Sequence, residues 1–146
     1  MKAKRVKTSK KSYILLIILL SYLFYNFYIN MRDKNLNKNL QNESTNSIST
    51  NEINNDMHNE LIEKVKELQN ENEDIKAWIK INDTNVNYPV VQANDNDFYL
   101  YRNYKKEKSN YGSIFIDSNS NIENPNSNII MYGHNMKDGS MFKDLL

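Results

Sequence analysis

The sequence predicts a mainly β domain with N-terminal helices, carried behind a single transmembrane helix. Three observations predict it. An apolar run fills residues 13–29, and a stripe of apolar residues at helical spacing follows over Met57–Leu68. From Ile79 onward, short runs rich in β-branched and aromatic residues alternate with polar turns. Four segments result: a basic cytoplasmic head at 1–12, a transmembrane anchor at 13–29, a flexible stalk at 30–56 and a folded domain at 57–146.

The head carries Lys2, Lys4, Arg5, Lys7, Lys10 and Lys11 with no acid among them. The run behind it, YILLIILLSYLFYNFYI, meets the requirement of roughly 17–25 residues for a helix that crosses a bilayer. Ser21 and Asn26 are its only strongly polar members, and Tyr22, Tyr25 and Tyr28 crowd its distal half as interfacial anchors do. Basic flanks stay cytoplasmic, so the N-terminus is expected inside the cell and the C-terminal domain outside, on a single-pass membrane protein. A cleaved signal peptide is the competing reading. The apolar run exceeds a usual signal core and no small-x-small cleavage site follows it, which favours the anchor.

Residues 30–56 are rich in Asn, Ser and Thr and nearly free of large apolar side chains. Such a segment buries too little surface to offset its chain entropy, hence the expected stalk. Met57, Leu61, Val65 and Leu68 then form the stripe of a helix, widened by Ile62. A second short helix is expected to be capped by Asn70 or Asn72 and to run to about Ile79, with Trp78 as a packing anchor. Ile79–Ile81 and Val86–Val91 flank a turn and suggest a hairpin, Pro89 placing its second strand at an edge or a strand start. Gly112–Asp117 reads as a further strand, Ser118–Asn128 as a polar loop and Ile129–Tyr132 as the strand before the motif Gly133-His134. A last helical piece is expected from Gly139, with Met141, Phe142, Leu145 and Leu146 apolar.

Composition excludes more than it assigns. The formal charge is +1 over 146 residues, so nothing global points to nucleic acid as a partner. No cysteine is present, which removes disulfides, thiolate metal sites and a cysteine nucleophile from this sequence. His58 and His134 stand far apart, outside any metal-ligand spacing, and Asp95 and Asp97 belong to no calcium loop, since Leu100 and Lys106 occupy its glycine and acid positions. No metal or other cofactor is therefore expected. His134 is the one residue sited for chemistry. A histidine at the end of a strand is held by the sheet yet meets solvent, and its ordinary pKa near neutrality suits an acid–base group.

Five blocks in order resemble class B sortases: AWIKI at Ala77–Ile81, NYPVVQ at Asn87–Gln92, NDFYL at Asn96–Leu100, GSIFID at Gly112–Asp117, and YGHNM with GSMFKDL between Tyr132 and Leu145. An anchor and stalk ahead of them is also the family arrangement. The resemblance implies part of a sortase-type β-barrel and the activity of an extracytoplasmic cysteine transpeptidase of Gram-positive bacteria. Such an enzyme cleaves a sorting signal in a secreted protein and joins the new carboxyl end to an amine of the peptidoglycan. His134 falls on the family's acid–base histidine, and Asn96 and Leu100 on positions near the sorting-signal groove. The family's cysteine and arginine strands lie C-terminal to every block present here. The chain is therefore expected to be a form truncated after its histidine, inactive by itself. The alternative is a non-catalytic, membrane-anchored module that binds sorting signals or an active sortase; a plain stalk protein leaves the ordered blocks unexplained.

Overall fold

The computed structural model describes residues 10–43, 53–124 and 128–146. Its first element, α1 (Lys10–Glu43), is one helix of 34 residues. At 1.5 Å per residue it extends about 50 Å, against a hydrocarbon core of about 30 Å. The helix is long and apolar enough to cross a membrane, and the apolar side chains from Tyr13 to Tyr28 lie exposed along it. Residues 1–9 of the basic head lie outside the described residues.

The second half of α1 corrects the expected stalk. Residues 30–43 continue the helix, residues 44–52 lie outside the described residues, and helix α2 (Ile53–Gln69) begins before residue 57. No glycine or proline interrupts residues 10–43, and Ile29, Asp33, Leu36 and Leu40 recur at intervals of three and four, one face of a helix. That face docks on the domain. Ile29, Asp33 and Leu40 are buried, and Leu36 and Leu40 pack on a core cluster. Arg32 pairs with Asp33 at 2.9 Å and donates to the carbonyl of Lys108 at 2.6 Å, while Gln41 Nε2 donates to the Asn85 carbonyl at 3.0 Å. The segment is mostly polar, so a composition average hides the four residues that dock it.

In α2, Val65 and Leu68 face the core as the stripe requires, whereas Ile62 remains exposed and does not widen it. The expected second helix is absent, and strand β1 (Ile75–Lys80) takes its place. Asn72 decides this. Its carbonyl oxygen accepts from the amide of Asp74 at 3.0 Å, and its amide donates to Tyr99 Oη and to the carbonyl of Tyr104. A buried asparagine engaged in this way turns the chain instead of capping a helix.

β1 and β2 (Asn87–Val91) form the expected antiparallel hairpin. β3 (Ile114–Ile116) lies parallel to β2, and β4 (Met131–Tyr132) antiparallel to β3, giving one four-stranded sheet in the order β1-β2-β3-β4. Pro89 is thus the third residue of an internal strand, neither the edge nor the strand start expected of it. Pairing with β3 starts only at Val90, so Pro89 has a strand neighbour on one side alone, opposite Trp78.

The sheet is covered on both faces, and alternation assigns each side chain. Tyr88, Val90, Ile114 and Ile116 enter one cluster with Met141 and Tyr111, while Val91 and Phe115 enter the other with Leu40, Tyr99 and Tyr104. A register shift between Ile75 and Ala77 moves Ile75 to the second face, while Ala77 and Ile79 stay on the first. The last segment is helical only over Lys143–Leu145, as a 3-10 turn. Ahead of it Met141 is buried with φ at 57° and pairs with Asn135, a geometry that stops a helix from starting at Gly139.

Candidate active site

His134 follows β4 by two residues, and two hydrogen bonds fix its position. Its imidazole Nε2 lies 2.8 Å from the carbonyl oxygen of Leu100, at the end of the 3-10 turn Phe98–Leu100. A carbonyl can only accept, so Nε2 is the protonated nitrogen. In the neutral ring Nδ1 then keeps a free lone pair, and it has no hydrogen-bond partner among the described residues. The backbone is pinned separately, the amide of Phe142 donating to the His134 carbonyl at 3.0 Å. The residue is partly buried.

Two glycines make this approach possible. At Gly112, φ is 61°, and a Cβ there would stand 2.7 Å from the Leu100 carbonyl oxygen, 2.8 Å from that of Tyr99 and 3.1 Å from the His134 ring. A Cβ on Gly133 would meet the Phe142 ring at 2.8 Å. Residue 112 must therefore be glycine on two grounds, the left-handed backbone and the space taken by the imidazole and its acceptor. The 3-10 turn itself is fastened to the core, since Tyr99 Oη donates to Asp74 at 2.8 Å and receives the Asn72 amide at 2.8 Å.

Asn96 belongs to a second polar group, near the end of β3. Its Nδ2 donates to Asp117 Oδ2 at 2.8 Å, and its Oδ1 accepts from the amide of Ser118 at 2.8 Å. Tyr132 Oη donates to the same Asp117 oxygen at 3.0 Å, and the amide of Asn119 donates to Oδ1 at 2.8 Å. These donors hold the Asp117 carboxyl below the usual carboxylate range, the backbone amide of Asn119 first and the Asn96 and Tyr132 side chains after it. The carboxylate in turn raises the Tyr132 phenol.

Of the three residues singled out in the sequence, His134 and Leu100 meet, through the backbone carbonyl of Leu100, while the Leu100 side chain packs on the core. Asn96 is hydrogen-bonded to neither, its partners being Asp117 and Ser118. The sequence reading missed Gly112, Asp117 and Tyr132. The one available signal was that Gly112 and Asp117 bracket a single strand block and Tyr132 precedes the Gly-His pair.

Nothing in this site resembles a metal centre, and among the described residues no three carboxylates or histidines stand close enough to hold an ion. A cleft of about 410 Å3 lies elsewhere, between the second half of α1 and Asp138–Ser140, and His134 does not line it. What the site offers chemically is one imidazole nitrogen, Nδ1, not engaged by a hydrogen bond among the described residues.

Known proteins share this sequence and fold over part of their length. Residues 79–146 match the family model described as a sortase domain. The chain is 50% identical over 86 residues to sortase B of Listeria monocytogenes, an alignment that covers 59% of this chain and 35% of the relative. Among solved structures, sortase B from Bacillus anthracis in complex with AAEK2 aligns at 54% identity with a TM-score of 0.54, over 56% of this chain and 38% of that one. A mutant form of Clostridium perfringens sortase B aligns at 41% identity with a TM-score of 0.61, over 81% and 51% respectively. The chain thus spans about a third of the length of the curated relatives it matches.

Proposed function

Because the chain belongs to the sortase B family across its C-terminal half, we propose that it is the membrane-anchored, acid–base portion of a sortase-type transpeptidase. His134 carries the proposal. Its Nε2 is committed to the Leu100 carbonyl and its Nδ1 is free, which leaves one defined nitrogen to exchange a proton with a reacting amine. The reaction attributed to it is cleavage of a sorting signal through a thioester, then attack by a peptidoglycan amine. Starting as the imidazolium, His134 would give the Nδ1 proton to the leaving amine, and the lone pair so exposed would take one back from the incoming amine. The sulfur nucleophile must come from outside these 146 residues, which contain no cysteine, and the chain alone is inactive on this reading.

Substrate contact is proposed for the surface bordered by Asn96 and Leu100. The Asn96 side chain is already engaged at both ends, so it would shape the groove by holding its loop instead of binding peptide itself. The proposed orientation puts the N-terminus in the cytoplasm and the domain outside, where secreted proteins and wall amines are met.

The test uses the full chain in lipid nanodiscs, a fluorogenic sorting peptide and an amine acceptor. The chain alone should give no turnover. Supplied with a second polypeptide carrying the C-terminal portion of a sortase B, it should cleave the peptide, and His134→Ala should reduce that rate by about 100-fold or more, the scale of general acid–base catalysis. Turnover that ignores the His134 substitution would reject the assignment.

A further inference from the structure

We infer that Asp117 is a positioning residue for His134, closing a ring of contacts that holds the imidazole on the Leu100 carbonyl. The inference rests on the acid–base reading of His134 and adds to it the means by which the ring is oriented.

The geometry is a loop closed at two points. One closure is His134 Nε2 to the Leu100 carbonyl at 2.8 Å. The other is the Asp117 carboxylate, whose Oδ2 receives both Asn96 Nδ2 at 2.8 Å and Tyr132 Oη at 3.0 Å. Asn96 lies four residues before Leu100 along the chain, and Tyr132 two residues before His134. The carboxylate therefore ties together the two segments that supply the imidazole and its acceptor. Among the described residues, the only direct hydrogen bond between residues 96–100 and 132–134 is that from His134 Nε2 to the Leu100 carbonyl.

The local structure makes the tie specific. β4 is only two residues long and pairs with β3 through Tyr132 opposite Phe115 and Met131 opposite Ile116. So short a ladder constrains the following Gly133-His134 weakly, and Tyr132 is its last residue. The tyrosine ring also packs on Phe115 at 5.2 Å between centroids, so the hydroxyl bond fixes a ring already seated on the sheet. Asp117 comes directly after β3, and its own amide donates to the Ile130 carbonyl at 2.9 Å. The carboxylate is thus positioned by both strands before it takes either side-chain donor. Gly112 completes the arrangement by leaving room for ring and carbonyl to meet.

The experiment follows the Nε2-bound proton of His134 in the full chain, labelled with 15N-histidine and held in detergent micelles. His58, exposed on α2, is the internal control whose ring proton should exchange with water too fast to observe. His134 should show a protected Nε2–H. Tyr132→Phe, which removes one oxygen and keeps the ring packing, should speed its exchange at least tenfold at a temperature well below the melt. Asp117→Ala should do so by more. A loop role without imidazole positioning would lower the melting temperature and leave that exchange rate unchanged, as would a spectator role. An unprotected Nε2–H in the unsubstituted chain, or protection undiminished in folded Tyr132→Phe, overturns the inference. If Asp117→Ala does not fold, Tyr132→Phe decides alone. The readout needs no cysteine, peptide or turnover, so the clamp can fail while the acid–base reading stands, and the reverse.

Discussion

The middle of the sheet and its β4 edge are built from similar residues and treated in opposite ways. Val86, Val90, Ile114 and Ile116 are 0–1% exposed, sealed between packed layers. Ile129 and Ile130, in the chain leading into β4, are 45% and 51% exposed, and Tyr132 is 39% exposed. Hydrophobicity is alike in the two regions, so what separates them is neighbours. Central strands have a partner on each side and a cluster on each face, whereas β4 has one partner. The centre is organised for stability. The edge places His134 where a reacting group could reach it, and it relies on hydrogen bonds because it has little apolar packing to rely on.

The largest expected effect distinguishes the two regions by their tyrosines. Burial raises the phenols of Tyr88, Tyr99 and Tyr111, whereas Tyr132 is raised first by its bond to Asp117. A raised folded-state pKa contributes stability that is complete below the unfolded value of about 10 and declines as pH rises above it. Ionising the three core phenols should therefore unfold the domain cooperatively under alkaline conditions. Phenolate absorbance and far-ultraviolet circular dichroism, followed together, should show the core tyrosines titrating only as the fold is lost. Core phenolates appearing in a fully folded domain would mean that the centre is looser than its burial indicates.

Next in size is Ile114→Ala, in the strand that both clusters share. Truncating a sealed isoleucine costs about 2–5 kcal/mol, from lost transfer energy plus the cavity left behind. For a domain of such modest size that is a large part of the total stability. Chemical denaturation of the detergent-solubilised chain measures it, and a loss below 1 kcal/mol would show that the centre collapses around the gap. Gly112→Ala follows, at about 1–3 kcal/mol for a side chain in the left-handed region. It bears on the edge as well as the centre, because the new Cβ meets the Leu100 and Tyr99 carbonyls and the His134 ring. Loss of the protected imidazole proton should accompany the loss of stability.

How much of this was legible in the sequence depended on the range of the contacts involved. The hairpin, the strand at 114–116 and the strand before His134 follow from local alternation and turn residues, and they are present. The stalk misled because four docking residues are diluted among polar ones, and the second helix because Asn72 has the same local signature as a cap and as a turn. Only its distant partners Tyr99 and Tyr104 separate the two. The site divides the same way. His134 was visible as a histidine at a strand end. Its acceptor is a backbone carbonyl 34 positions away, and a backbone carbonyl has no residue type to read.

The smallest expected effect gives the sharpest view of the edge. Ile130→Lys replaces a half-exposed isoleucine whose backbone, through its carbonyl to the Asp117 amide, makes the useful contact. A side-chain change leaves that bond intact, so stability should shift by no more than about 0.5 kcal/mol, as for surface substitutions generally. The same change at Ile114 would bury a charge in a sealed cluster. What should respond is association, since an exposed apolar strand edge invites pairing between chains and a lysine there opposes it. Sedimentation of the full chain in detergent should therefore show less self-association in Ile130→Lys at an unchanged melting temperature. A melt lowered by several degrees would mean that the Ile130 side chain is part of the core after all, and the contrast between centre and edge would have to be redrawn at β3.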